Sequence, residues 1–195
     1  MSTTHAAAPA LPAADLSAAK TRVVKAALTL FAQHGVGGTS LHMIADEIGV
    51  TKAAVYHQFN TKEEIIRAVA DTELARLEEV LDEAQASARG DVRDAVIEGI
   101  INLAVSRRRL MGNLLSDPVI GRLYAKDKRL IRVLDRLNSL LLGDSKQAES
   151  HVVTAMLTAA ISGSVIHPLV MDLSDDTLRA QLGRLARRFL DLPPG

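Results

Sequence analysis

The chain has 195 residues, of which 48% are hydrophobic and 3% aromatic, with 23 basic residues, 23 acidic residues and no cysteine. This length suits one or two domains with a sizeable core, and an aliphatic interior with few aromatic residues favours packed helices. The zero net charge argues against a generally basic surface for nucleic acid or membrane, so such a partner requires a local site. The lack of cysteine excludes disulfides, zinc–thiolate sites and cysteine nucleophiles.

Residues 1–17 are rich in Ala and Pro, and this composition predicts a disordered tail. The tail has neither the charged start nor the continuous apolar core of a secretory signal. No apolar run approaches the ~20 residues that a membrane-spanning helix needs. We therefore expect a cytoplasmic protein with no membrane partner.

Residues 18–67 predict a head of three short helices. Apolar residues recur at helical spacing up to Gly35, a natural helix stop. Thr39 or Ser40 can cap the second helix, and Thr51 can cap the third after a turn at Gly49. Three short helices with a glycine in the second turn are typical of a helix-turn-helix, whose last helix enters the major groove of DNA.

The rest of the chain, residues 68–192, predicts a helical body. Thr61 and Glu64 have the spacing of a capping box at the start of a long helix that runs to about Ser87. Pro118 marks a predicted boundary, and Pro168 should kink or end the helix that contains it. Further helices are expected over residues 91–106, 126–142, 146–172 and 174–191. Because no strand pattern occurs, the predicted fold class is all-α.

The amino-terminal end of the third head helix carries groups that suit DNA. The hydroxyl of Thr51 and the helix amino terminus suit a phosphate. The Tyr56 hydroxyl and the Lys62 ammonium suit the flanking backbone, whereas Lys52 and His57 can reach acceptors on base edges such as guanine N7 and O6. This arrangement of side chains favours a DNA-binding helix.

The stretch "TSLHMIADEIGVTKAAVYHQFNTKEEIIRAV" resembles the DNA-binding domain of the TetR family of transcriptional regulators. The similarity extends over about residues 20–70. It implies a three-helix head, a long connecting helix and a helical body that binds ligand and forms a homodimer. The matching residues form an ordered string: Phe31, Gly35, Ile44, Ala45, Gly49, Val50, Tyr56, Phe59 and Lys62.

The resemblance also assigns roles to side chains. It implies phosphate contacts for one group and base contacts for a second, with Gln58 standing where the family often has a histidine. It further implies a repressor that binds double-stranded DNA at a palindromic operator and is released by a small molecule. No cofactor is expected. The phosphate group is Ser40, Thr51, Tyr56 and Lys62; the base-reading group is Lys52, Ala53 and His57, with His42 nearby.

The apolar helix 146–167 contains several Ser and Thr residues that allow two interpretations. They can bond to the preceding helical turn, or they can supply the few polar groups of an apolar ligand pocket. We expect a small, mostly apolar effector in a cavity bordered by helices 91–106, 126–142 and 146–167. Candidate polar contacts are Asn102, Asn113, His151, Thr154 and Thr158.

The last two predicted helices, 146–172 and 174–191, are expected to form the homodimer. The first is apolar on nearly every side. The second carries a seam of leucine and phenylalanine, and two such helices paired with two from another copy give a four-helix interface. The predicted seam is Leu178, Leu182, Leu185 and Phe189.

Other interpretations remain open at this stage. His42 and Asp46 have the spacing of a metal pair, but no third ligand is visible and no metal is expected. The run from Arg107 to Arg109 fits either salt bridges with the acidic stretch "LEEVLDE" or an anionic-ligand site. An all-helical enzyme or small-molecule carrier without DNA binding is the alternative function, and a purely architectural DNA-binding protein is a weaker one. No coherent catalytic set is present, so we do not expect an enzyme.

Overall fold

The computed structural model describes residues 16–87, 91–115, 120, 122, 127–143 and 148–191, and only the backbone of residues 111 and 113–115. Over these ranges the elements are helices joined by turns, and no strand occurs. The predicted all-α class is therefore confirmed. Within the same ranges, no helix is both long enough and apolar enough to span a membrane.

The head consists of α1 (Ala18–Gly38), α2 (Leu41–Glu47) and α3 (Lys52–Gln58). Gly35 interrupts α1 with φ of 72° and ψ of 167°. Since side-chain-bearing residues rarely adopt a positive φ, this confirms the stop predicted at Gly35. Phe31, Ile44 and Val55 are fully buried where the three helices meet, so the apolar spacing of the sequence does form a single head core.

The prediction of a tail over residues 1–17 is wrong for its last two residues. Leu16 packs against the head core, and the side chain of Ser17 accepts a hydrogen bond from the Lys20 amide at 3.3 Å, which caps α1. The apolar side chain and the capping hydroxyl explain why the helical head begins here. Residues 1–15 lie outside the described residues.

Ser40 and Thr39 cap the ends of two different helices. Ser40 Oγ accepts from the Met43 amide at 3.2 Å and caps α2. Thr39 instead donates its hydroxyl to the Gly35 carbonyl at 2.8 Å and closes the end of α1. Thr51 caps α3 as predicted, by accepting from the Ala54 amide.

The described residues of the body form further helices after the head. The helix Ala148–Ser164 is followed by a short 3₁₀ turn at Pro168–Val170, so the predicted single helix over 146–172 is divided, as expected for a proline at that position. The boundary predicted at Pro118 lies outside the described residues. The body helices are α4 (Lys62–Ala86), α5 (Val92–Ser106), α6 (Arg108–Leu115), α7 (Lys128–Leu142), α8 (Ala148–Ser164) and α9 (Asp175–Phe189).

Helix α4 belongs to both head and body. Thr61 caps it by accepting from the Glu64 amide at 3.1 Å, and the Glu64 carboxylate accepts from the Asn60 amide at 2.9 Å. Ile66 lies in the head core, whereas Leu81 lies in the body core. Because α4 is continuous, the proposed boundary between residues 67 and 68 falls inside a rigid element that can carry movement between the two parts.

Helix α6 makes a second connection between body and head. It packs along α1, and Leu110 on α6 is buried in the head core together with Ile120. The head is therefore held by α4 on one side and by α6 on another. The sequence does not reveal this contact, because the partners are about eighty residues apart in the chain.

The interface seam predicted on the last helix is wrong for Leu178 and Leu182, which are buried within their own chain. Leu178 and Leu182 are 2% and 8% exposed within their own chain, whereas Leu185 and Phe189 are 52% and 44% exposed. The buried stripe continues at Ala186 in steps of four residues. Because four residues exceed one helical turn of about 3.6 residues, the stripe winds around α9 and leaves Leu185 and Phe189 beside it.

Candidate nucleic-acid interface and body cavity

The turn between α2 and α3 fixes how α3 is presented. Gly49 has a φ of 67°, a conformation that glycine adopts without strain. Its amide donates to the Asp46 carbonyl at 3.1 Å, and the Val50 amide donates to the Ala45 carbonyl at 3.0 Å. These bonds close the end of α2 and direct the chain into α3, which is the geometry of a helix-turn-helix.

Helix α3 has one buried face and one exposed face. Val55 is fully buried, and Phe59 at the end of the helix is 5% exposed. Four of the predicted DNA-binding residues, Lys52, Ala53, Tyr56 and His57, are exposed. The Lys52 Nζ atom lies 5.6 Å from the centre of the Tyr56 ring.

Two further groups flank the exposed face. Gln58 is half-buried, and its Nε2 lies 3.2 Å from His57 Nδ1. Lys62 is half-buried at the start of α4. Together these residues place amide, imidazole and ammonium groups at the carboxyl end of α3 and the start of α4.

The capping hydroxyls of Ser40 and Thr51 are both at exposed helix starts. Each oxygen accepts from a backbone amide of its own helix. A hydroxyl that accepts in this way keeps its hydrogen for a second bond, so each can still donate to a phosphate oxygen.

His42 and Asp46 lie on the exposed face of α2. The His42 Nε2 atom is 3.7 Å from Asp46 Oδ2, and both side chains are more than half exposed. In the part of the chain that the structure describes, no group of three potential metal ligands occurs. The contact is thus a surface pair that leaves the His42 ring accessible to an adjacent groove.

Arg22 is a head residue that the sequence analysis did not identify. Its Nη2 atom donates to the Ile48 carbonyl at 2.9 Å and so ties α1 to the start of the turn before α3. Residues 22 and 48 are far apart in sequence, and a lone exposed arginine gives no signal of such a bond. Arg22 therefore has a positioning role for the turn.

The body contains a cavity of about 260 Å³. The three helices named in the prediction all border it, and α4 forms a further wall that the prediction did not include. Its described lining is almost entirely apolar. The lining residues are Glu73, Leu74, Leu77, Ile100, Leu103, Ala104, Ile120, Leu130, Leu134, Leu137, Thr158, Ile161 and Ser162.

Of the predicted polar contacts, Thr158 is the one that the structure places on this wall. Its Oγ1 atom donates to the Thr154 carbonyl at 2.9 Å, as expected for a threonine that bonds to the preceding turn. Thr154 is buried and donates to Asn138 Oδ1 at 2.8 Å. This bond joins α8 to α7.

The other candidates lie elsewhere. Thr154 and His151 border a separate groove between α7 and α8. Asn102 borders a shallow depression between α5 and α9. The side chain of Asn113 lies outside the described residues. Sequence spacing assigned polar groups to helices that border the cavity, but it could not show which helix face turns inward.

The arginine run is engaged in ion pairs. Arg107 contacts the buried Glu73 carboxylate with two of its nitrogens, including Nε at 2.9 Å. Arg108 Nη2 lies 3.2 Å from Asp175 Oδ1 at the start of α9. These contacts favour the salt-bridge interpretation, although the acids lie outside the predicted acidic stretch. Arg109 is exposed.

A second set of ion pairs holds α7 to α4. Arg129 Nη2 lies 2.6 Å from Glu78 Oε2, and this hydrogen-bonded pairing raises the pKa of Arg129. Arg136 Nη2 lies 2.6 Å from Asp82 Oδ1. Two turns before Glu78 on α4, burial raises the pKa of the Asp71 carboxyl, against the opposing attraction of Arg129.

Comparison with known proteins gives consistent matches. Residues 23–69 match the family described as "Bacterial regulatory proteins, tetR family". Over 98 residues the chain is 33% identical to the HTH-type transcriptional regulator AcrR of Shigella flexneri. The matched segment covers 48% of this chain and 46% of that protein. The match thus spans less than half the length of this curated relative.

Two solved structures share the fold over most of their length. The fatty acid degradation regulator FadR of Bacillus halodurans superimposes with a TM-score of 0.70 at 18% identity, over 90% of this chain and 96% of that one. The complex of SmeT with triclosan gives a TM-score of 0.61 at 24% identity, over 89% and 90% of the two chains; SmeT is the repressor of a Stenotrophomonas maltophilia efflux pump.

The domain match and the common fold agree with the geometry of the head. The glycine turn, the buried and exposed faces of α3 and the capped α4 all fall within the matched segment. The amino-terminal segment of the chain, residues 23–69, is thus a domain of the kind found in the TetR family of bacterial regulatory proteins.

Proposed function

We propose that this chain is a sequence-specific DNA-binding transcriptional regulator, and that it is a repressor which a small molecule releases from its operator. The observation that carries the proposal is the exposed face of α3. Its polar side chains are accessible while its apolar side chains anchor it. The name of the AcrR relative supports the same function.

The contacts with DNA would divide into two kinds. Ser40, Thr51, Tyr56 and Lys62 would hold phosphates, which fix the position of the head but carry no sequence information. Lys52 and His57 would read base edges in the major groove, and Ala53 and His42 lie near enough to shape the approach. Half-buried Gln58 would orient His57 through the 3.2 Å contact.

The operator-binding form would be a homodimer through α8 and α9. Val152 and Met156 on α8 are each 55% exposed, and Leu185 and Phe189 on α9 are about half exposed. An apolar face of this kind on two adjacent helices is typical of an interaction surface. A two-fold axis through it would match a palindromic operator.

The effector site would be the 260 Å³ body cavity. Its apolar lining suits a small, mostly apolar molecule, and SmeT was solved in complex with triclosan. The cavity wall includes α4, which continues into the head. A ligand that binds one position of α4 better than another would alter the spacing of the two heads, because only such a difference in affinity shifts the equilibrium.

A small-molecule carrier without DNA binding is the second candidate, and the cavity favours it as well. The two functions differ in one measurable property. A carrier would bind its ligand with an inert α3, whereas a regulator needs the exposed face of α3.

The test is a gel-shift titration with DNA from upstream of the chain's own gene. Wild-type protein should form a discrete complex that excess non-specific DNA does not remove. The Lys52→Ala, His57→Ala double variant should lose that complex. Arg132→Ala, which removes an exposed charge from α7 in the body, should retain it. A double variant that bound like the wild type would contradict the proposed function.

A further inference from the structure

A buried acidic residue borders the body cavity. Glu73 on α4 is 7% exposed, and it is the one charged residue among the described residues that line the cavity. Ionised carboxylates are costly to bury unless they are paired. A carboxylate on an otherwise apolar wall therefore needs a cation.

Two arginines supply that cation from outside the cavity. Arg107, the residue that ends α5, grips both carboxylate oxygens of Glu73, and Arg76 Nε lies 3.4 Å from Oε1. Neither arginine lines the cavity. Arg107 instead borders a cleft of about 400 Å³ between α1, the junction of α5 and α6, and the start of α9. The ion pair thus forms a wall between the cavity and this cleft.

The position of the two charges selects among ligands. A ligand in the cavity lies next to the acidic residue of the pair, because Glu73 borders the cavity and neither arginine does. An anionic group would be repelled by Glu73, and a neutral group would gain at most an ordinary hydrogen bond. A protonated amine would make a charge-assisted hydrogen bond, which is about twice as strong as a neutral one.

We propose that the effector is an amphipathic organic cation whose charged nitrogen pairs with Glu73 and takes the place of Arg107. The freed guanidinium can turn into the adjacent cleft, where water replaces the carboxylate. The apolar part of the effector occupies the cavity. This inference rests on the proposed function, since it names the ligand class for the same site.

The exchange also explains how the ligand is coupled to the head. Arg107 joins α4 to the residue before α6, and Leu110 on α6 is buried in the head core against α1. With Arg107 released from Glu73, α4 loses its ion pair to the start of α6 and the two connections to the head can move separately. Cation binding is thus linked to a change in a contact that joins both connections.

The test uses three probes that share an eight-carbon skeleton but differ in charge: octylammonium, 1-octanol and octanoate. All are measured at about pH 7, where an alkyl amine is protonated, as lysine is. Affinity is measured by calorimetry. Wild-type protein should bind octylammonium about tenfold more tightly than octanol, and octanoate most weakly. Glu73→Gln should bind octylammonium no more tightly than octanol.

Two further variants separate binding from folding. Glu78→Gln is the matched control, since Glu78 lies on the same helix and pairs with Arg129 but does not line the cavity; it should keep the tenfold preference. Arg107→Gln removes the competing cation, so its affinity for octylammonium should rise about tenfold. A merely structural role of Arg107 would not increase affinity. If circular dichroism showed Glu73→Gln to be unfolded, the Arg107→Gln result would decide.

Equal affinity of the wild type for all three probes, or a preference for octanoate, would overturn the inference. An unchanged or reduced octylammonium affinity in Arg107→Gln would do the same. Operator binding in the absence of any probe is measured in parallel. Intact DNA binding without cation preference would refute the ligand class alone, whereas cation binding without DNA binding would refute the proposed function.

Discussion

Leu185→Ala tests the dimer surface in a way that leaves the protomer intact. The Leu185 side chain is 52% exposed, so about half of its surface is still available to a partner. Full burial of a leucine contributes about 1.5–3 kcal/mol, which leaves about 1 kcal/mol for each protomer. A two-fold interface contains the residue twice, so the substitution should weaken dimerisation by about 2 kcal/mol.

This loss corresponds to a dissociation constant raised about thirtyfold, since about 1.4 kcal/mol is tenfold. Leu185→Glu should have a larger effect, because it also buries a charge. Sedimentation velocity over a range of protein concentrations measures both changes. The melting temperature of the protomer should stay close to that of the wild type, since the half-exposed Leu185 side chain contributes little to the core of its own chain.

Gln33→Glu is the control. Gln33 is exposed on α1 in the head, so this substitution adds the same charge outside the α8 and α9 face, and dimerisation should be unchanged. Leu182→Glu is unsuitable as an interface variant because Leu182 is 8% exposed within its own chain, so it should unfold the body. A Leu185→Glu protein that sediments as the wild-type dimer would refute the assignment of this face.

Five other substitutions test the head and α4. Lys62→Ala should reduce the slope of log affinity against log salt by about 0.9 for each protomer. Tyr56→Phe should weaken binding to all DNA sequences alike. A changed base preference in either variant would argue against phosphate contacts. His57→Ala or Lys52→Ala should instead relax preference at individual base pairs by about 1–3 kcal/mol in competition binding, and a uniform loss would count against base reading. Asp71→Asn should raise the melting temperature at neutral pH. Burial raises the pKa of Asp71 in the folded state, so the ionised carboxyl lowers the stability of the wild type as pH rises through that pKa. The difference in melting temperature from the wild type should vanish below about pH 4.

The head could be predicted from sequence because its signals are local. A cap, a helical stripe and a stop each lie within a few residues of one another, as at Thr51, Val55 and Phe59. The turn at Gly49 follows from a property of one residue type. Each of these features therefore occurs where the sequence indicates it.

The cavity and the dimer surface depend on packing, which the sequence does not specify directly. Glu73 resembles any other acid on a long helix until Arg107, 34 residues further on, is placed beside it. Leu182 and Leu185 differ only by three positions, and the crossing of α9 over α5 decides which of them is buried. Spacing shows that a face is apolar, but not which neighbour covers it.

A footprint on the DNA upstream of the chain's own gene tests the central claim most directly. The wild-type dimer should protect two half-sites with two-fold related sequences, whose centres lie about one helical turn apart or a multiple of it. The Lys52→Ala, His57→Ala double variant should lose protection at the same protein concentration. Uniform protection without discrete half-sites, or equal protection by the double variant, would contradict the assignment of α3 as the helix that reads the operator.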